Sequence, residues 1–240
     1  MSAGRRSALL VAAAAAPPAL VLGAITLLVN PVIALVVFVA VAAAVAAWVW
    51  IGAQRRVLSA VGGRVADVDG EARALNLIEG LSFTAGLRQP ALVVVDSGGL
   101  NAAVVSRDPS SAVVVATSGL LAELTRIELE GALAAALVEI RHGELGPATV
   151  VASLPGLGRR LVSSAPGRDA ATDLAAVKLT RFPPGLAAAL EKMESKGTAV
   201  GGIGADQAHL WLADPLPPGA GAGAGGRTSL HDRAQALREL

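Results

Sequence analysis

The sequence has no cysteine and is poor in aromatic residues and in histidine. Its 240 residues include no Cys, no Tyr, three Phe, three Trp and three His. Without cysteine the chain can form neither a disulfide framework nor a thiolate metal site, which suits a cytoplasmic domain. Three histidines also leave few candidates for a metal site built on imidazole. The hydrophobic core must therefore be built from Leu, Val, Ile and Ala.

Charged residues are also scarce, and they are unevenly distributed along the chain. The formal net charge is +1, so composition gives no reason to expect a nucleic-acid partner. Hydrophobic residues make up 53% of the chain and the mean hydropathy is +0.59, which is high for a soluble protein. No charged residue occurs from Ser7 to Gln54. That stretch is long enough for two transmembrane helices of about 20 residues each.

A helical hairpin is predicted in this apolar stretch. Asn30-Pro31 marks the turn, which gives the spans Ala8–Val29 and Val32–Ala53. Pro17-Pro18 is expected to kink the first span. The alternative is a cleaved signal peptide, which Arg5-Arg6 followed by an Ala-rich run resembles. The second span argues against cleavage.

The ends of the hairpin carry the signals that orient membrane helices. Trp48 and Trp50 lie near the end of the second span, where interfacial anchors are found. Arg5-Arg6 precede the first span and Arg55-Arg56 follow the second. The positive-inside rule then places both ends of the hairpin in the cytoplasm. We expect a protein of the cell (inner, cytoplasmic) membrane with two transmembrane helices and with its N- and C-termini cytoplasmic.

After a short basic linker, the pattern predicts a helix and then a small sheet. Apolar residues at helical spacing predict the helix from Asp67 to Leu87. Three β-branched runs separated by polar turns then predict strands at Ala91–Val95, Ala102–Val105 and Ala112–Thr117.

A second long helix is predicted from Thr125 to Glu144. Thr125 and Glu128 have the spacing of a capping box, and Gly143 is a stop signal near the other end. The interior is rich in Ala and Leu at helical spacing, at Leu129, Ala132, Leu133, Ala136, Leu137 and Ile140.

This helix resembles the active-site helix of the HtpX-like membrane zinc metallopeptidases. In that family a Glu-Leu-Glu-Gly-x-Leu run leads into His-Glu-x-x-His and then an Ile-x-x-Gly-Asp tail. Here Glu128-Leu129-Glu130-Gly131 and Ile140-Arg141-His142-Gly143-Glu144 match the two flanks without a gap. The five motif positions between them read Ala135-Ala136-Leu137-Val138-Glu139. The resemblance therefore implies the helix without its zinc-binding histidines and its catalytic carboxylate.

The substitutions at these positions remove the chemistry of the motif. In an active relative, histidines at i and i+4 bind zinc, and the intervening Glu takes a proton from the zinc-bound water. Ala135 and Ala136 can do neither, and Glu139 offers only a carboxylate at the position of the second histidine. A shifted frame, Val138 to His142, loses only the first histidine, but it breaks the match on both flanks.

Two further segments match the family upstream of the helix. Asn101-Ala102-Ala103 resembles its Asn-Ala-Phe/Tyr-Ala strand. In such folds the edge strand beside the zinc helix receives an extended substrate by strand addition, so these residues are a candidate substrate strand. The alternative is that the strands form only the core. Val115 to Leu121 resembles the family's Val-Thr-x-Gly-Leu-Leu run.

Asp169 and Asp173 lie in a segment that resembles the family's Arg-Glu-x-x-Ala-Asp motif. In active relatives that Glu is the third zinc ligand and that Asp orients a ligand histidine. Asp169 is a shorter carboxylate at the ligand position, whereas Asp173 is retained. Asp169 could equally be a first-turn acid stabilised by the helix dipole. The relatives usually carry a second transmembrane hairpin before this motif, and residues 145 to 167 are too short to form one.

The C-terminal third continues the resemblance. A helix is predicted from Pro184 to Ser195, and His209 to Leu212 resembles the family's His-Leu-Phe-Ile run. Ser229 to Arg233 resembles the end of its Thr-His-Pro-x-Leu-x-x-Arg motif, with the leading Thr-His-Pro lost. The tract Pro215–Gly226 has the composition of a flexible linker.

Together these features predict an α+β protein. A transmembrane helical hairpin (residues 1–56) precedes a mainly helical, cytoplasmic, gluzincin-type metallopeptidase-like domain with a small β-sheet (residues 57–240). The resemblance implies a membrane-anchored pseudopeptidase of protein quality control. It would lack catalytic residues and bound metal, and it would bind a membrane protein, a peptide or an active relative at the lipid bilayer.

Two alternative functions remain open at this point. One is an active zinc metalloendopeptidase whose metal site is rebuilt from Glu139, His142 and Asp169, with Glu144 as a further candidate. The other is a purely structural membrane subunit that scaffolds a complex.

Overall fold

The structure is a computed structural model that describes residues 3–27, 30–142, 145–154, 170–217 and 228–240. Within these ranges nine α-helices accompany one small sheet. The helices are α1 (Ala3–Leu27), α2 (Pro31–Val61), α3 (Ala72–Ala85), α4 (Ser118–Glu123), α5 (Arg126–His142), α6 (Leu145–Ala152), α7 (Ala170–Thr180), α8 (Pro183–Lys196) and α9 (Leu230–Arg238). The strands are β1 (Arg64–Val65), β2 (Ala91–Val95), β3 (Ala102–Val105) and β4 (Val113–Thr117). The predicted mixture of many helices with a small sheet is confirmed.

The first two helices form the predicted hairpin, with its turn at Asn30. The Asn30 backbone is extended, and its side-chain oxygen accepts hydrogen bonds from the backbone N–H groups of Val32 (2.8 Å) and Ile33 (3.4 Å). This cap satisfies N–H groups that the first turn of a helix leaves without partners. Helix α2 is long and apolar enough to cross a membrane, whereas the apolar part of α1, Leu9–Ile25, is shorter.

Helix α2 does not end where its apolar stretch ends. It continues through Arg55 and Arg56 to Val61 and stops at Gly62, whose φ of 72° ends the helix. The sequence predicted a short basic linker after the hairpin. This prediction is wrong as far as Val61, because these residues are helical. Val57 and Val61 are buried in a hydrophobic cluster with the sheet, and this burial stabilises two more helical turns.

The sheet has four strands in the order β1-β2-β4-β3. Strands β2 and β4 are parallel, with Val93 opposite Val115. Strand β3 is antiparallel to β4, and β1 is antiparallel to β2. The three predicted strands are confirmed to within a residue. Strand β1 was not predicted, because two residues are too short to show an alternating pattern.

The two faces of the sheet are covered by different parts of the chain. Alternate side chains of β2, β3 and β4 pack with α3 and α5 in the main core, among them Val94, Val104 and Val114. The opposite face, which includes Val105 and Val115, packs with the C-terminal end of α2 and with Trp211. The sheet is therefore buried on both faces, which explains its nearly uninterrupted Ala/Val composition.

Helix α5 lies at the centre of the main core. It packs against α3, α7 and α8. Gly131 allows the close approach of α8, because a Cβ atom at this position would lie 2.7 Å from the backbone nitrogen of Leu186. The glycine of the Glu-Leu-Glu-Gly run thus has a packing role.

Candidate functional site

The N-terminus of α5 is fixed by the capping box that the sequence predicts. The backbone N–H of Thr125 donates to the Glu128 carboxylate (2.7 Å), and the Glu128 N–H donates to the Thr125 hydroxyl (3.5 Å). The ammonium of Lys192, on α8, also donates to Glu128 at 2.6 Å. Burial alone would raise the pKa of Glu128, but the hydrogen bonds from Lys192 and Thr125 outweigh it and lower this pKa.

The positions that match the zinc motif lie deep in the core. The side chains of Ala135 and Ala136 are 0% exposed and belong to the main hydrophobic cluster. Their neighbours on α5, Leu133 and Leu137, are equally buried. Glu139 is partly buried. Two methyl groups packed among apolar side chains leave neither a metal ligand nor a site for a catalytic water at these positions.

The described positions of the zinc motif offer a single donor group, which is too few for zinc. Zinc sites in proteins use three or four nitrogen, sulfur or oxygen ligands, and of the first, second and fifth motif positions only Glu139 carries a donor atom. In the described ranges, no group of three or more His, Asp and Glu side chains is placed to hold a metal ion. Two candidates of the rebuilt site, Asp169 and Glu144, and the side chain of His142 lie outside those ranges.

Asp173 forms a buried ion pair with Arg233. The Nε and Nη2 atoms of Arg233 donate to the two carboxylate oxygens of Asp173 at 2.6 and 2.7 Å. The Nη1 atom donates to the carbonyl of Leu212 at 3.0 Å. The sequence named Asp173 as the partner of a ligand histidine, whereas here the carboxylate joins α7 to α9. Arg233 was missed as its partner, although it ends the segment that resembles Thr-His-Pro-x-Leu-x-x-Arg.

Asn101, the first residue of the candidate substrate strand, is fully buried. Its side-chain oxygen accepts from the backbone N–H groups of Ala102 (3.0 Å) and Ala213 (3.1 Å). Its side-chain nitrogen donates to the carbonyls of Thr198 and Ala213, both at 3.0 Å. One side chain therefore ties β3 to two points of the segment from residue 198 to 213.

The outer edge of β3 is occupied at the residues named as a candidate substrate strand. The backbone N–H of Leu212 donates to the carbonyl of Ala102 at 2.7 Å, and Ala103 forms an isolated antiparallel bridge with Trp211. Beyond the strand, the N–H of Ser106 donates to the Thr149 hydroxyl of α6 (3.1 Å). A peptide that adds to this edge would have to displace Leu212 from Ala102.

A small open cleft lies near the N-terminal end of α5. Its volume is about 160 Å³, and it is lined by Ile127, Glu130, Gly131, Thr180 and Phe182. Ile127 and Phe182 each expose about half of their surface. The cleft is about one to two turns of helix away from Ala135, so it does not coincide with the motif positions.

Comparison with known proteins identifies relatives of one kind. The chain is similar to the Protease HtpX homolog of Dictyoglomus thermophilum, with 32% identity over 207 residues, covering 69% of this chain and 68% of that protein. It is 30% identical to the Protease HtpX homolog of Tropheryma whipplei strain Twist, covering 61% and 65%. The homolog of Dictyoglomus turgidum is 31% identical, covering 59% and 60%.

No family model matches the chain, and no solved structure matches it. The chain covers roughly two thirds of the length of the relatives above. The match to the Dictyoglomus thermophilum protein has 32% identity and covers more than two thirds of both chains. The chain therefore belongs to the HtpX-like protease family.

Proposed function

We propose that the chain is a membrane-anchored HtpX-like pseudopeptidase that binds a membrane protein or a peptide without cleaving it. The observation that carries this proposal is the complete burial of Ala135 and Ala136 in an apolar core. An HtpX-type peptidase needs imidazole nitrogens and a general base where these two methyl groups lie. General acid–base catalysis typically contributes about 10²–10⁴-fold to a rate, and no side chain at these positions supplies it.

The order of elements supports a gluzincin-like arrangement. Strands β3 and β4 precede α5, and α7 with Asp173 follows it, which is the order of the family's motifs along the chain. Helix α5 packs against β3, as the active-site helix lies beside the edge strand in that fold. The apolar surface of α1 and α2, with exposed Leu20, Val36 and Val39, supports anchoring in the bilayer.

Metal analysis together with a cleavage assay tests the proposal. The full chain is purified in detergent and dialysed against trace-metal-free buffer, and zinc is measured per mole of protein. Fluorescein-labelled casein then serves as a generic unfolded substrate. We expect zinc well below one equivalent and casein that is bound but recovered intact.

The opposite result would favour the active peptidase. Zinc near one equivalent, with cleavage that a chelator abolishes, would overturn the proposal. In that case a Glu139→Gln variant should lose the metal, whereas Glu130→Gln on the same helix serves as the matched control. Casein that neither binds nor is cleaved would contradict the binding role and favour a structural subunit.

A reconstruction variant tests the alignment of α5 on the zinc motif. Ala135→His, Ala136→Glu, Glu139→His and Asp169→Glu together restore the family's residues. If the variant keeps its helical circular dichroism and gains zinc, the alignment is right. A folded variant without zinc would show that α5 does not correspond to the active-site helix.

A further inference from the structure

Helix α2 is divided into an exposed apolar part and a part that is embedded in the rest of the protein. Outward-facing side chains along its first half are largely exposed, including Val32, Leu35, Val39 and Trp48. From Val49 onward, every fourth residue is buried by other elements, namely Val49, Ala53, Val57 and Val61. After Trp48, Ile51 is the single large apolar side chain of α2 that remains largely exposed (65%), so the apolar surface that can face lipid narrows there.

Arg56 folds back along α2 to Trp48. Its guanidinium carbon lies 4.2 Å from the centre of the Trp48 indole ring, and its Nη atoms donate to the carbonyls of Trp48 (3.2 Å) and Val49 (2.9 Å). Gly52 leaves room for this path, since a Cβ atom there would collide with the guanidinium. The positive charge of Arg56 is thus held beside an indole that is 63% exposed, which is the pairing found at membrane–water interfaces.

Within the part of the chain that the structure describes, the positive charges of Arg55 and Arg56 have no carboxylate partner. Arg55 is exposed. The nearby carboxylate of Asp108 accepts hydrogen bonds from Ser110 and Ser111 and lies 3.5 Å from Arg107. The guanidinium groups of Arg55 and Arg56, which have no carboxylate partner in the described ranges, directly follow the exposed apolar surface. Anionic phosphate groups can bind such guanidinium groups.

Helix α6 packs directly against this part of the hairpin. Val150 is fully buried in a cluster with Val11 of α1 and with Val49 and Ala53 of α2. The Ser153 hydroxyl, just after α6, accepts from Arg56 at 3.4 Å. Gln54 donates to the carbonyl of Ser111 at 2.6 Å, which fixes a second domain loop to the same part of α2.

We propose that the headgroup layer of an anionic phospholipid bilayer meets α2 between Trp48 and Arg56, and that the domain sits directly on this surface with α6 at the interface. The hydrocarbon boundary then lies about one turn earlier than Ala53, the end of the apolar sequence. Arg55 and Arg56 contact lipid phosphates. The inference rests on the membrane anchoring in the proposed function, and it is independent of whether the protein cleaves peptides.

Spin labels on single cysteines locate the boundary, and the cysteine-free chain makes each label unique. Val39→Cys, Ile51→Cys and Arg64→Cys are labelled in the full chain in nanodiscs, and their collision rates with oxygen and with a water-soluble nickel chelate are compared. We expect Val39 in the hydrocarbon, Ile51 at headgroup depth and Arg64 in water. A label at Ile51 as deep as that at Val39 would overturn the inference and leave the anchoring intact. Labels in water at both Val39 and Ile51 would overturn the membrane anchoring itself.

A second measurement tests the recognition of anionic headgroups. The Tm of the full chain is measured in nanodiscs of phosphatidylcholine and in nanodiscs that also contain phosphatidylglycerol. We expect a Tm higher by about 2–4 °C per arginine in the anionic discs, and loss of this difference in the Arg55→Gln/Arg56→Gln variant. Arg126→Gln, at the opposite end of α5 from α6, is the matched control and should keep the difference. An equal Tm in both lipids for the unmodified chain would contradict phosphate recognition.

Discussion

Arg233 binds Asp173 through two parallel charge-assisted hydrogen bonds, and both side chains are almost completely buried, at 3% and 2% exposure. The pair joins α9 to α7, and the third nitrogen of the guanidinium reaches the carbonyl of Leu212. Burying two charges is costly, but removing one of them leaves the other without compensation. The pair is therefore the point at which the C-terminal helix depends most on the rest of the core.

Arg233→Met should destabilise the protein strongly. We expect a loss of about 3–5 kcal/mol in the free energy of unfolding, because Asp173 would keep a buried and unpaired charge. The double variant Asp173→Leu/Arg233→Met should recover much of this loss. Thermal unfolding followed by circular dichroism in detergent measures both.

The exposed pair of Arg238 and Glu191 is the control. Both of these side chains are 48% exposed, so Arg238→Gln should lower the Tm far less than Arg233→Met does. Similar losses for Arg233→Met and Arg238→Gln would show that burial does not determine the strength of these pairs.

The capping box of α5 should make stability depend on pH. The pKa of Glu128 is lowered in the folded protein from an ordinary value of 4.5, so its carboxylate stabilises the fold above that value. This contribution is lost as the pH falls below 4.5 and through the lower pKa of the folded state. The Tm of Glu128→Gln should therefore fall less steeply with acid than the Tm of the unmodified chain.

Two helical glycines should respond oppositely to the same substitution. Gly131→Ala places a methyl group 2.7 Å from the backbone nitrogen of Leu186, so α5 and α8 must separate and stability should fall by about 1–3 kcal/mol. At Gly80, in α3, an added Cβ atom meets no atom within 4 Å. Gly80→Ala should therefore stabilise the protein by up to about 1 kcal/mol through helix propensity. A stabilised Gly131→Ala variant would contradict the close packing of α5 and α8.

Asn101→Ala should loosen the segment from residue 198 to 213. The substitution leaves the carbonyl of Thr198 and both backbone groups of Ala213 without their side-chain partner, and each such loss costs about 1–3 kcal/mol. Hydrogen exchange measured by mass spectrometry should become faster in that segment before the rest of the domain. Asn76→Ala, at an exposed position of α3, is the control, and it should not change the exchange of this segment.

The regular parts of the fold could be predicted from the sequence because they obey local rules. Asn30 and Thr125 cap helices through their own side chains, and the three β-branched runs have the length and composition of buried strands. The sequence did not predict features that depend on contacts between residues far apart in the chain. Helix α2 continues past Arg56 because Val57 and Val61 are buried by the sheet, and no local pattern reveals that burial.

The candidate site was predictable only in outline. The resemblance of α5 to the family's helix predicts that the zinc motif is replaced, whereas the burial of Ala135 and Ala136 depends on how α5 packs against α3, α7 and α8. The resemblance predicted that Asp173 orients a ligand histidine, whereas the structure pairs it with Arg233, 60 positions away. Such a pair cannot be derived from spacing, since it depends on how α7 and α9 are packed. The predicted flexible tract lies largely outside the described ranges, which end at residue 217 and resume at 228.

The burial of Val57 and Val61 against the sheet implies that α2 and the sheet form in a fixed order during synthesis of the chain. Helix α2 leaves the ribosome before any strand of the sheet, and chains fold in the order in which they emerge. One face of the sheet can therefore be completed only against a helix that is already held at the membrane. The strands should assemble where the anchor has been inserted, and a chain that fails to insert should expose the apolar face of the sheet and become a target for chaperones and proteases.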